Sequence, residues 1–135
     1  MSISKFLLAY LLTAIVFFAI DIVWLGFIGK GIYQKYLGHL LSANVNWTAA
    51  IIFYLVFIIG IFLFAIYPAI EANSVKTAML WGALFGFFTY ATYDFTNLAT
   101  LKDWPLPIVF IDIAWGVVLT AAVSTAGYYM TKLLG

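Results

Sequence analysis

Apolar residues in this chain do not alternate with polar ones as in a half-buried strand, nor recur on one face as in a soluble helix; they run on in four long stretches. Uninterrupted apolarity sets these at Phe6 to Ile28, Thr48 to Tyr67, Thr77 to Ala99 and Leu106 to Tyr129. Each approaches the roughly 20 residues that cross a ~30 Å hydrocarbon layer. Backbone groups in lipid must bond within their own segment, so the stretches predict helices rather than strands. The expectation is an all-α membrane protein, with four transmembrane helices in a bundle forming a single transmembrane domain over residues 1–135. Pro68 is expected to close the second helix, and Asp103, Trp104 and Pro105 to form the start of the fourth. The first stretch follows Lys5 as a signal peptide would. It is too long for one, contains Asp21 and is followed by no small-residue cleavage site, so it reads as a span.

The connection from Lys30 to Trp47 is long for a helical hairpin. Tyr33, Tyr36, Leu37, Leu40 and Leu41 fall on one helical face and Lys35, His39 and Ser42 on the other. This predicts a short amphipathic interfacial helix over Gly31 to Ala43. Its simplest role is to join two spans; a sharper one is to cover what lies beneath. Four spans put both termini on one side, here side A, together with the loop Pro68 to Lys76; the other two loops lie on side B. Lys5, Lys76 and Lys132 on side A balance Lys30, Lys35 and Lys102 on side B, so lysine placement does not orient the chain.

Composition sharpens the picture. Hydrophobic residues make up 67% of the chain and charged ones only 8%, against about 25% charged in soluble domains. The net charge is +1, with no clustered basic face, which disfavours nucleic acid as a partner. With no cysteine, disulfides, thiolate metal sites and cysteine nucleophiles are excluded. What stands out is where the acids lie, because three of the five fall inside predicted spans. Asp21 lies about two turns from the side-B end of the first helix, Asp94 about one to two turns from that of the third, and Asp112 about two turns into the fourth, which runs the other way. All three therefore share a leaflet. Each charged Asp costs roughly 2.5 to 3.5 kcal/mol inside a membrane helix, so lipid exposure is excluded.

Neighbouring residues favour convergence on a shared interior. Gly82, Gly86, Tyr90, Tyr93 and Asn97 form a stripe on the third helix, edged by Thr89 and Asp94. Gly116, Thr120 and Gly127 lie near the face of Asp112, while the second helix carries no ionisable side chain other than tyrosine and reads as packing and lipid-facing bulk. The glycines read as close-packing surfaces. The carboxyls read either as interhelical glue or, preferred for three at one depth, as a site. The expected site is a polar intramembrane pocket open toward side B. In it Asp21, Asp94 and Asp112 bear charge, Tyr90, Tyr93, Thr96 and Asn97 orient them, and Trp24 and Trp115 form walls.

The function this favours is binding or transport of a cation, a proton or a small amphipathic ligand. The lipid bilayer is then the surrounding partner, and a homodimer would complete a permeation path. Catalysis is the weaker reading, since His39 has no second metal ligand of its kind and no serine has a His partner; no cofactor is indicated. The enzymatic alternative is a membrane-embedded enzyme acting on lipid, with two Asp as general base and acid, or with all three holding a divalent metal. A third alternative is an assembly partner of another membrane protein.

Asp21-Ile22-Val23-Trp24 recurs as Asp112-Ile113-Ala114-Trp115, which sets an indole one turn from each carboxyl. These Asp-x-x-Trp pairs, with the run Tyr93-Asp94-Phe95-Thr96-Asn97-Leu98-Ala99-Thr100-Leu101 and the following Trp104-Pro105, resemble a family of small bacterial membrane proteins known as a domain of unknown function, predicted membrane protein family 2177. The resemblance covers essentially the whole chain. It implies four membrane helices in a bacterial inner membrane. It also implies an association with fatty-acid-modifying enzymes of the cyclopropane-synthase type, which favours lipid-linked roles.

Overall fold

The computed structural model describes residues 2–135, which are helical apart from short connections. Helix α1 (Ile3–Ile28) is followed by the short α2 (Lys30–Leu37), and then come α3 (Trp47–Ala72), α4 (Val75–Thr100) and α5 (Leu106–Leu134). Three of these, α1, α3 and α5, are long and apolar enough to cross a membrane. α4 matches them in length at 26 residues but is more polar, because it carries the glycines, threonines and tyrosines of the stripe around Asp94.

Local chemistry sets the ends. The Ser2 hydroxyl accepts from the Lys5 N–H, Asn46 caps α3 through Ala49, and Ser74 caps α4 through Thr77. Asn73 ends α3 in the left-handed conformation, and its side-chain oxygen accepts from Lys132 near the end of α5. Two ends differ from expectation. The interfacial helix stops at Leu37 instead of reaching Ala43. Beyond Gly38, Ser42 turns back on Asn44, donating to its carbonyl and accepting from its N–H, and this local bonding competes with a helix. Pro68, in turn, does not close α3, which continues to Ala72. A wide π turn at Phe62–Ile66 immediately precedes it and absorbs the ring and the missing N–H.

α5 is the central element, with α1 and α4 packed along it. The α4–α5 seam is closest where glycines face polar backbone. A Cβ on Gly86 would collide with the Thr120 hydroxyl and the Gly116 carbonyl, and one on Gly116 would enter the Tyr90 ring, so only glycine permits this approach. The apolar core, including Phe17, Ile58, Ile61, Phe62, Leu119 and Val123, lies between α1, α3 and α5. α3 meets α4 and α5 mainly through its π turn. Its first half stands away from α4, bridged by side chains such as Phe57 against Phe85 and Tyr90.

Candidate functional site

The structure buries all three membrane aspartates, at 6% exposure for Asp21, 0% for Asp94 and 7% for Asp112. Their surroundings differ sharply. Asp21, on α1, accepts from the Trp115 indole of α5 at 3.2 Å and from the Tyr54 phenol of α3 at 3.2 Å. Asp112, on α5, accepts from the Tyr33 phenol of α2 at 2.5 Å, at the short end of O–H···O hydrogen bonds. Tyr33 in turn accepts from the Trp24 indole at 3.0 Å. Burial first, and then the bond to Asp112, raise the Tyr33 phenol well above its usual range, so it remains a donor.

The two Asp-x-x-Trp segments therefore exchange partners. Trp115 serves the aspartate of α1 directly, and Trp24 serves that of α5 through Tyr33. The two indoles stack between these bonds, with centroids 4.5 Å apart and planes 11° from parallel. Asp94 has no such support. Both of its oxygens are buried without a hydrogen-bond partner, as is the Trp104 indole nitrogen. The Asp112 carboxyl and the Trp104 indole are its polar neighbours.

A cavity of about 520 Å³ opens where α3 stands away from α4, within the range typical of small-molecule sites. Phe53, Tyr54 and Phe57 of α3 form one wall and Thr89, Tyr90 and Tyr93 of α4 the other. Leu25 of α1 with Tyr33 and Leu37 of α2 close the side-B end, and Asp112 reaches in from α5. The covering role of the amphipathic segment is thus filled by its Tyr33 face, with Leu37 buried and Lys35 exposed on the opposite side.

The predicted site residues separate into groups. Asp112, Tyr90 and Tyr93 line the cavity. Asp94 sits behind Asp112, and Asp21 belongs to the bonded set with Tyr54 and Trp115. Trp24 and Trp115 pack on each other and are not among the residues lining the cavity. Thr96 is exposed and Asn97 half-buried, and neither donates to the three carboxyls. Among the described residues no three acidic or histidine side chains come together to hold a metal ion, which removes the divalent-metal arrangement of three aspartates. Two site residues were missed from sequence, Tyr33 and Tyr54. Tyr54 lies about two turns inside the side-B end of its helix, the depth of Asp21; that match was the available signal.

A family model described as a predicted membrane protein (DUF2177) matches residues 6–129, and the chain belongs to that family. No curated protein and no solved structure matches the chain.

Proposed function

We propose that this member of the predicted membrane protein family binds a cation, a proton or a small amphipathic ligand in the cleft between α3 and α4, and carries it in a bacterial inner membrane. Under this reading α1, α3, α4 and α5 are four spans and α2 lies in the interface. A homodimer completes any path across the bilayer. The observation that carries the reading is the cavity itself: about 520 Å³, largely apolar and aromatic, with one carboxyl, Asp112, reaching into it. A ligand cleft combines these features, whereas carboxyls acting only as glue would be surrounded by packing.

The test is thermal unfolding of the protein in nanodiscs across a panel of cations, pH values and amphiphiles, beside an Asp21/Asp94/Asp112→Asn variant. A ligand that binds the folded state raises the midpoint in proportion to its occupancy. The reading expects at least one condition to stabilise the wild type and leave the variant unmoved. Wild type and variant responding alike to every condition would refute it.

A further inference from the structure

We infer that the occupant of the cleft is an amphipath with a primary ammonium head, held at Asp112 with its tail toward the lipid. This rests on the ligand-binding reading above and narrows it to one chemical class.

The inference follows from counting what the walls have left to offer. The Tyr33 hydroxyl donates to Asp112 and the Tyr54 hydroxyl to Asp21. The Thr89 hydroxyl donates to the Phe85 carbonyl at 2.7 Å. Each of these three donors is already committed to the scaffold, and the Tyr33 oxygen also accepts from Trp24, so Tyr54 and Thr89 present oxygen lone pairs while the Tyr90 and Tyr93 hydroxyls can turn to accept or to donate. Asp112 adds its carboxyl as a further acceptor. A head that donates is thus matched by acceptors on several sides of the cleft.

Charge points the same way. None of the lining residues is basic, so a carboxylate or phosphate head would enter beside Asp112 with no cation to meet it. Behind Asp112 lies Asp94, fully buried, with neither oxygen bonded. A positive head in front of Asp112 would be attracted by its carboxyl in a medium of low dielectric. The tyrosine-rich walls add ring faces suited to a cation. An ammonium with three N–H donors uses both the acceptors and the charge, whereas a quaternary ammonium uses the charge alone. Leu25 and Phe53, each about half-exposed on the outer surface of the helices, offer an apolar exit for a tail.

The experiment titrates four amphiphiles of equal chain length, dodecylammonium, dodecyltrimethylammonium, dodecanol and dodecanoate, into the protein in zwitterionic nanodiscs, with empty nanodiscs as blank. Dodecylammonium is expected to bind at least about tenfold more tightly than the other three, a difference of 1.4 kcal/mol. Asp112→Asn is expected to abolish that preference, with circular dichroism and a monodisperse size-exclusion profile reporting that the variant is folded. If Asp112→Asn does not fold, Asp94→Asn replaces it and is expected to weaken dodecylammonium selectively. Equal binding of dodecanol and dodecylammonium would overturn the charged head yet leave the cleft reading standing. Equal binding of the trimethyl compound would overturn the donor requirement, and preference for dodecanoate would overturn the sign. Binding of none of the four would overturn the inference, and the panel above, with its cations and pH steps, then decides the broader reading separately.

Discussion

Asp21 and Asp94 are the same side chain, almost equally buried, on the two helices that flank α5. One accepts hydrogen bonds from two other helices, and the other accepts none. The difference separates two uses of a membrane carboxyl. Asp21 joins α1, α3 and α5 by accepting from the Tyr54 hydroxyl and the Trp115 indole. Asp94 gives the fold no such service. A buried polar group without donors is costly, and it persists here beside the one carboxyl that reaches the cavity.

Substituting leucine at the two positions is the strongest way to break this contrast. Asp21→Leu strands two donors and is expected to lower unfolding free energy by about 2 kcal/mol in mixed micelles titrated with SDS. A double-mutant cycle between Trp24→Leu and Trp115→Leu is expected to give about 1 kcal/mol of coupling, the worth of the stacked indoles, read from the same titrations. Asp94→Leu breaks no hydrogen bond and is expected to be neutral or to stabilise by up to about 1 kcal/mol. Tyr54→Phe removes one donor and leaves Asp21 its indole, for a loss of about 0.6 kcal/mol. Equal losses at Asp21→Leu and Asp94→Leu would erase the distinction between them.

The sequence made part of this arrangement legible. Hydropathy located the long helices because lipid tolerates few other patterns, and counting turns from their ends brought Asp21, Asp94 and Asp112 to one depth. Pairing across helices was not legible. The short recurrence Asp-x-x-Trp suggested an indole beside its own carboxyl one turn away, but the rotation of α1 against α5 sends each indole to the other segment's aspartate. Tyr54 was hidden among the phenylalanines and isoleucines of α3, where an aromatic ring reads as bulk, and Tyr33 among the apolar residues of a loop helix. The end of that helix at Leu37 and the passage of α3 through Pro68 depend on local bonding and a widened turn that residue spacing does not carry. Thr96 and Asn97 share a motif with Asp94 but lie away from the carboxyls once the helix is wound.

The exchange between the two Asp-x-x-Trp segments also imposes an order in time on the ribosome. Asp21 emerges early, its first donor follows with α3, and its second lies 94 residues downstream, in α5. Asp112 meets the opposite situation, since Tyr33 and Trp24 are already waiting when it arrives. Until α5 is made, Asp21 therefore has only one of its two donors, and synthesis of α5 completes both bonded sets. A nascent chain arrested before Trp115 should remain in contact with the insertion machinery, and release of the finished helix should let it go.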